Sequence, residues 1–536
     1  MAAGSPADRA NNPEKVDYGP ARSPIVRSAG GTPSEQYLAK LGDRSFLNLW
    51  SFSNTFIDKR SGGKGDGKEL CDLLVICGDH VIIFSDKTIG WPSGGDEKLA
   101  WKRWYKRAIL QSVDQIRGAE RWIAQFPDKI FLDRQCTQPL PLRLPPKERR
   151  KMHGIVVALG AGDACKKHFG EGIGSLVISP AIKGDAHWKD DHVIPFVLGD
   201  VDPDSPFVHV LDDATLDIVM REFDSIMDLT SYLSKKEQLI RSGKLVVAAG
   251  EEELVAYYMM HMNPEGEHDF TKPDGSILGE NDYLSLATGW YSKLLKSEKY
   301  RRKKAADRHS YVWDKLIESF TDNMLAGTTI VPVGETYIIS DLEEGIRHMA
   351  LVPRYKRRVL GNAILDALQR GRDFPRFTRG LMPGPTERDQ TTGFFFMTLA
   401  VPTFELAGGY DQYRSVRRNL LETYALAFLQ KHSMLKRVVG IGTEPMNNAA
   451  ETGSSEDLIV VQVDEWTPKL LKDLDDRKKR LNIFEEGKYK EYAVQGNEYP
   501  EVTQEPTRKS SLKLSRQQRR AQAAEARRRR KGGEPQ

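Results

Sequence analysis

A short stretch near the N-terminus concentrates the residue types that phosphate chemistry uses. Between positions 67 and 87 the chain reads GKELCDLLVICGDHVIIFSDK, with Glu69 and Asp72 near its start and Ser85, Asp86 and Lys87 at its end. Mg²⁺ prefers hard oxygen ligands, usually one or two carboxylates together with water and substrate oxygens. A bound divalent ion activates water, and a nearby ammonium group orients that water or stabilises developing charge. These residue types therefore suit metal-assisted chemistry on a phosphate.

The pattern of apolar residues predicts that this stretch is a β-hairpin. Two apolar runs, 70–76 and 81–84, flank a turn centred on Gly78 and Asp79. A two-residue turn pairs positions 77 and 80, and counting back along the arms places Asp72 opposite Ser85 on one face. Lys87 lies two residues further on and shares that face, whereas a regular strand points Asp86 to the opposite face.

A helix predicted for residues 100–125 follows the hairpin and supports it. Its apolar residues recur at helical spacing, and it carries Gln115. Near its start, two tryptophans alternate with four basic residues: Trp101, Lys102, Arg103, Trp104, Lys106 and Arg107. Two interpretations stay open for this helix, a core stripe with a solvated basic face and a surface that follows a nucleic-acid backbone.

On these residues the stretch resembles the PD-(D/E)XK, or restriction-endonuclease-like, nuclease superfamily. In that family an Asp opens one strand of a hairpin, an acid-X-Lys triplet lies on the next strand, and a helix packs behind it. Asp72 matches the first acid, Lys87 the lysine, Gln115 a glutamine of the following helix, and Glu69 an additional upstream acid. The resemblance implies phosphodiester hydrolysis of DNA or RNA with Mg²⁺ (or Mn²⁺). Asp72, Asp86 and Glu69 are the expected metal ligands.

The triplet departs from the family pattern because Ser85 occupies the usual acid position, and serine is a poorer ligand for Mg²⁺ than a carboxylate. Three explanations stay open: a β-bulge swings Asp86 inward, Glu69 replaces the missing acid, or the module no longer cleaves. A non-cleaving module would bind nucleic acid or a protein partner. A scaffold whose hairpin is only core is a further alternative. A role in prokaryotic defence or repair rests on analogy alone.

The predicted fold class is α/β, with a mixed central sheet and flanking helices (a restriction-endonuclease-like core), followed by a C-terminal α+β region. The predicted segments are a disordered leader (1–33), a nuclease-like domain (34–215), a helical connector (216–282), an α+β domain of unknown role (283–486) and a disordered tail (487–536). The sequence does not indicate an oligomeric state.

Charge is unevenly distributed along the chain. The formal net charge is +4, yet residues 508–536 hold eleven Lys and Arg, including Arg527, Arg528, Arg529 and Arg530, against two Glu. The rest of the chain is therefore net acidic, and the tail is the predicted polyanion-binding segment. The chain contains neither a secretory apolar core nor an apolar stretch approaching about 20 residues, so we expect no membrane contact and a cytoplasmic protein.

Overall fold

The strands of the first hairpin are apolar on both faces, which is typical of strands covered by a layer on each side. The structure, a computed structural model, describes residues 24–59, 66–170, 172–189, 192–329, 339–382, 391–401, 407–445, 455–484 and 497–500. Every residue of positions 70–77 and 81–86 is buried. The predicted hairpin is confirmed, and it lies inside a layered α/β fold.

The N-terminal part is built around a six-stranded mixed sheet. Its elements, in chain order, are α1 (Pro33–Phe46), β1 (Ser51–Ile57), β2 (Lys68–Cys77), β3 (His80–Thr88), α2 (Glu97–Tyr105), α3 (Gln111–Gln125), β4 (Ile130–Phe131), β5 (Lys151–Leu159), α4 (Gly162–Phe169), β6 (Val177–Lys183), β7 (Val197–Asp200) and β8 (Val208–Asp212). The strand order is β4-β1-β2-β3-β5-β8. Strands β1, β2 and β3 are antiparallel neighbours, whereas β3, β5 and β8 run parallel.

The second part supplies further helices, all strands of one smaller sheet, and the strands β9 and β10, which join β6 and β7 in another. Its elements are α5 (Leu216–Glu222), α6 (Ile226–Arg241), β9 (Leu245–Ala248), α7 (Glu251–Met260), β10 (Leu284–Leu286), α8 (Trp290–Lys296), α9 (Glu298–Asp307), α10 (Ser310–Leu325), α11 (Ile339–Ala350), α12 (Arg354–Arg370), β11 (Arg376–Leu381), β12 (Thr392–Leu399), α13 (Gly409–Lys431), β13 (Arg437–Thr443), β14 (Asp457–Gln462) and α14 (Pro468–Leu481). The two sheets have the orders β10-β9-β6-β7 and β11-β12-β13-β14. Both contain parallel and antiparallel pairs, so the mixed α/β class is confirmed.

Alternate residues of the hairpin face different helical layers. Leu73 and Phe84 belong to a core that also contains Leu38 of α1. Leu74 and Ile83 belong to a second core, formed with α2 and α3. This alternation fixes which side of the sheet each polar side chain at the end of the hairpin faces.

The helix predicted for residues 100–125 is present, with one irregularity. Helices α2 and α3 are joined by a π-helical turn, Lys106–Leu110. Trp101 and Trp104 are fully buried, whereas Arg103 and Arg107 are exposed. The aromatic residues of this helix therefore pack in the core, as the first of the two interpretations predicts.

Several short strands were not predicted, and β9 is the clearest case. It lies inside the predicted helical connector, where the run Leu-Val-Val-Ala follows Gly243 and precedes Gly250. Its length of four residues is too short to show a period, and its partner β10 lies about forty residues further along the chain. The run Thr329–Val333 is also predicted to be a strand, and it lies largely outside the described residues.

The largest apolar core includes residues from all three of the predicted folded segments, among them Leu38, Tyr232, Trp313 and Phe396. It crosses the boundaries drawn near residues 215 and 282, which stay predictions. In the described part of the chain, no helix combines the length and apolar character needed to cross a bilayer.

Candidate functional site

A tight turn sets the register of the hairpin, and the backbone pairing of β2 with β3 ends just before the candidate site. Gly78 has φ +61°, a left-handed conformation that glycine adopts without strain. The recorded pairs run from Cys77 opposite His80 to Leu73 opposite Phe84, as predicted. The predicted pair of positions 72 and 85 lies one step beyond the last recorded pair. The polar residues thus begin where regular pairing of β2 with β3 ends.

Beyond that point, a side chain of β2 bonds the main chain of β3. Oδ2 of Asp72 accepts a hydrogen bond from the backbone N–H of Asp86 at 2.7 Å. Nζ of Lys87 lies 3.8 Å from the same carboxylate oxygen. Asp72 is only 2% exposed. The structure therefore brings three of the proposed site residues, Asp72, Asp86 and Lys87, together at one end of the hairpin.

The carboxyl group of Asp86 is buried, and its neighbours compensate for this burial only in part. Its residue is 5% exposed, and neither carboxylate oxygen has a hydrogen-bond partner of ordinary geometry among the described residues. Burial raises the pKa of Asp86 above its ordinary value and Glu35 acts in the same direction, whereas a side-chain hydrogen bond from Ser34 and the charge of Lys87 oppose both. Buried carboxylates are normally hydrogen-bonded or bind a cation, so these two oxygens have unused ligand capacity.

The irregularity in this hairpin lies in β2. Strand β3 pairs residue for residue with β5 from His80 to Thr88. The register between β1 and β2 shifts between Thr55 and Phe56, which leaves Leu70 as the extra residue. This bulge comes two positions before Asp72. It changes the local path of β2 at the point where Asp72 turns toward the main chain of β3.

Ser85, at the family's acid position, is engaged with the helix behind the sheet. Its Oγ donates a hydrogen bond to Oε1 of Gln115 on α3 at 2.8 Å, and the serine is fully buried. The predicted placement of Gln115 next to the hairpin agrees with this contact. Ser85 therefore faces α3, while the neighbouring Asp86 is influenced by Ser34 and Glu35 of α1.

Glu69 is joined to an acid that the sequence analysis missed. Nδ2 of Asn54 donates to Oε1 of Glu69 at 2.7 Å and to Oε2 of Glu35 at 2.8 Å. Asn54 has φ +47°, a left-handed conformation that asparagine tolerates better than most residues. Thr32 and Glu35 form a capping box at the start of α1, which sequence alone could have shown. The approach of that helix end to the hairpin is a long-range feature.

The cluster of Glu35, Glu69, Asp72, Asp86 and Lys87 carries four carboxyl groups and one ammonium group. Burial raises the pKa of Asp72 to about 7; Glu69 and Glu35 add to that rise, while Lys87 and the Asp86 N–H oppose it. Hydrogen bonds from Asn54 and Gly31 hold the pKa of Glu35 below its usual value despite partial burial. The excess of acid favours a cation at this end of the hairpin.

The donor chemistry fits a magnesium ion in part. Among the described residues, no three His, Cys, Asp or Glu side chains are grouped closely enough to form a metal-binding set. Mg²⁺ is commonly held by one or two carboxylates, with the other positions taken by water and substrate. Asp72 and Asp86 supply that smaller number of carboxylates: Asp72 retains Oδ1, and the Asp86 oxygens have only the Ser34 hydroxyl as a hydrogen-bonding side chain among the described residues.

No family model, curated protein or solved structure matches this chain. The assignment of the site therefore depends on its own geometry and charges.

The predicted nucleic-acid-binding residues fall into two groups. Lys102 is partly exposed, and Arg103, Lys106 and Arg107 are exposed along α2 and the π turn. Nζ of Lys106 lies 4.1 Å from the ring centroid of Trp188. The tail residues Arg527, Arg528, Arg529 and Arg530 lie outside the described residues.

Proposed function

We propose that this protein is a metal-dependent nuclease that hydrolyses phosphodiester bonds of DNA or RNA. The observation that carries the proposal is the buried Asp86 carboxylate, on a residue whose backbone N–H bonds Asp72; among the described residues Ser34 is its one hydrogen-bonding side chain, and neither oxygen has a partner of ordinary geometry. A buried acid that its neighbours compensate only in part is costly, and a divalent cation is the partner that offsets this cost best next to another carboxylate.

The arrangement of the surrounding elements supports the same proposal. Helix α1 precedes the antiparallel strands β1, β2 and β3; helix α3 follows, and β5 runs parallel to β3. This is a mixed sheet between helices, the kind of core that the PD-(D/E)XK resemblance implies. The acid of β2, the lysine of β3 and the glutamine of α3 occur in the order that the resemblance implies, whereas Ser85 occupies the acid position of the β3 triplet.

Each side chain has a distinct task in this proposal. Asp72 and Asp86 would hold Mg²⁺ or Mn²⁺, and Glu69 and Glu35 would add negative charge or bind its water ligands. The bound ion would lower the pKa of a water molecule and offset charge on the phosphate. The ammonium group of Lys87 would donate hydrogen bonds to the attacked phosphate or to the attacking water. Gln115 positions β3 through its bond to Ser85.

A second function, binding without cleavage, is favoured by one observation. The position that normally supplies an acid holds Ser85, and its hydroxyl is already bonded to Gln115. In that case the cluster at the end of the hairpin would retain nucleic acid or a protein partner while leaving the phosphodiester bond intact.

Cleavage assays on purified protein separate the two functions. Labelled single- and double-stranded DNA and RNA are incubated with Mg²⁺ or Mn²⁺, using wild type, Asp72→Asn, Lys87→Ala and the control Lys68→Ala, whose side chain is exposed. The proposal expects metal-dependent products from wild type and the control, and none from the two site variants. Cleavage that persists in both site variants would reject the assignment. Binding of nucleic acid without cleavage by wild type would support the second function.

A further inference from the structure

A cavity of about 330 Å³ lies away from the hairpin, at the edge of the β10-β9-β6-β7 sheet. Strands β9 and β10 run parallel, and the cavity lies at their carboxyl ends, where α7 and α8 begin. Ligands commonly bind at this edge of parallel strands. The size falls at the lower end of the range for small-molecule sites, so the cavity suits a compact ligand.

Most of the cavity wall is apolar, and one acid interrupts it. The apolar lining includes Phe169, Ile173, Val177, Val247 and Leu286, whereas Glu252 lies in the first turn of α7. An apolar wall with a single buried charged group is the usual form of a site that recognises one charged group on an otherwise apolar ligand.

The carboxyl group of Glu252 has one oxygen in use and one to spare. Oε1 accepts a hydrogen bond from Oγ of Ser175 at 2.8 Å. Oε2 is buried without a hydrogen-bond partner of ordinary geometry among the described residues, the backbone N–H of Glu252 itself also interacts with the carboxyl group, and the whole residue is 4% exposed. A β-carbon added at Gly250 would lie 2.2 Å from this oxygen, so the glycine keeps the space beside it open. The spare oxygen is thus available to a ligand.

The charges around this carboxyl group favour a cation. Burial raises the pKa of Glu252 to about 7, and the neighbouring Asp212 and Glu253 add to the rise. Asp212 is engaged by the backbone of Leu176 and Glu253 by the backbone of Gly289, which are uncharged donors. Within the described part of the chain, none of these three acids forms an ion pair with lysine or arginine. A cationic ligand would supply the missing positive charge.

We propose that this cavity is a binding site for a small organic cation, an amine or amidine with a compact apolar body, anchored by Oε2 of Glu252. The apolar body would lie against the side chains of the cavity wall, and an N–H of the ligand would donate to the spare carboxylate oxygen. The site is independent of the proposed nuclease function, because it uses a different sheet and none of the hairpin residues.

Three probes of one shape test the sign of charge that the cavity selects. Benzylamine, benzyl alcohol and benzoate are titrated into the full chain, and binding is followed by calorimetry and ligand-observed NMR. We expect benzylamine to bind at least about tenfold more tightly than benzyl alcohol, because it forms a charge-assisted hydrogen bond. We expect benzoate to bind more weakly than either. Equal binding of all three, or failure of benzylamine to bind at about 10 mM, would overturn the proposal.

Two substitutions locate the binding event. Glu252→Gln should weaken benzylamine by about tenfold and leave benzyl alcohol unchanged, because it removes the charge and retains the size. Ala249→Leu, which fills the cavity, should abolish binding of both probes while the carboxylate remains. The exposed control Glu265→Gln should bind like wild type. Circular dichroism checks folding; if Glu252→Gln does not fold, the probe series and Ala249→Leu decide. Unchanged benzylamine affinity in a folded Glu252→Gln or Ala249→Leu would contradict the site.

Discussion

Oδ2 of Asp72 accepts a hydrogen bond from the backbone N–H of Asp86 at 2.7 Å. A side chain of β2 thus takes the place of a backbone carbonyl as the acceptor for this N–H of β3. This bond lies directly beyond the last recorded pair of the hairpin. It holds the Asp72 carboxylate beside the strand that carries Asp86 and Lys87. The proposed site thus depends on a place where two strands stop pairing while a side chain keeps them joined.

Two substitutions of Asp72 distinguish the effect of its charge on stability from the effect of its hydrogen bond. Asp72→Asn retains an acceptor for the Asp86 N–H and removes a buried charge, so without metal at about pH 8 we expect the free energy of unfolding to rise by roughly 1 kcal/mol or more. Asp72→Ala removes the same charge but leaves that N–H without its acceptor, so its free energy of unfolding should be about 1–2 kcal/mol lower than that of Asp72→Asn. Denaturant unfolding measures both. If both variants are destabilised equally while the exposed Asp66→Asn is unchanged, burial of the Asp72 charge does not lower the free energy of unfolding.

The second expectation concerns Lys87. Its Nζ lies 3.8 Å from Asp72, and its side chain is 32% exposed, so it reaches toward solvent where a phosphate could approach. Lys87→Ala should lower the cleavage rate at least about 100-fold, which is typical for loss of a group that assists proton transfer or stabilises charge. The Mg²⁺-induced rise in melting temperature should remain, because lysine does not bind the metal. Loss of that rise together with cleavage would instead indicate collapse of the site.

A pair of stacked histidines gives an expectation about pH. Nδ1 of His80 and Nε2 of His153 are 3.1 Å apart, and burial lowers the pKa of each imidazole from 6.5 to about 4, with Lys151 acting in the same direction. The unfolded chain therefore binds protons that the folded chain excludes. The contribution of these two histidines to stability is fully present above about pH 6.5 and should fall, by on the order of 3 kcal/mol for each, as the pH drops toward about 4.

Unfolding titrations at about pH 7 and pH 5 measure this dependence. The double substitution His80→Gln and His153→Gln should reduce the loss of stability between the two pH values, whereas His309→Gln, at an exposed position, should not. The same change in stability between the two pH values in wild type and in the double variant would contradict the depressed pKa values.

The basic face of α2 gives an expectation about salt. If Lys102, Arg103, Lys106 and Arg107 follow a nucleic-acid backbone, replacing all four by Ala should reduce the slope of log affinity against log salt by about 1 for each lost phosphate contact. A matched variant replaces four exposed basic residues of α14, Lys469, Lys472, Lys479 and Arg480. Equal effects of the two variants would favour a solvated face with no specific contact.

Sequence alone was sufficient for the parts of the site that depend on local structure. The apolar runs and the Gly78 turn predict the hairpin and its register from Cys77 to Leu73, because turn length and side-chain alternation leave few other pairings. The bond between Ser85 and Gln115 was also within reach, since a helix must cover that apolar face.

Long-range packing determines the remainder, which sequence did not predict. Glu35 reaches the hairpin only because α1 packs on the sheet, and Asn54 joins it to Glu69 from a third element. The bulge at Leu70 results from pairing with β1 and leaves no mark in the local pattern. The burial of the Asp86 carboxyl group likewise depends on all the elements that surround it.

Titration with Mn²⁺, followed by calorimetry and by the paramagnetic resonance signal of the free ion, measures directly whether the Asp86 carboxylate binds a divalent metal ion. The matched pair is Asp86→Asn and the exposed control Asp66→Asn. We expect one saturable Mn²⁺ site in wild type and in the control, from which Mg²⁺ displaces the bound Mn²⁺. The Mn²⁺ affinity of Asp86→Asn should be at least about tenfold lower. Equal Mn²⁺ affinity in wild type and Asp86→Asn, or no saturable binding in wild type, would contradict a metal site at Asp86.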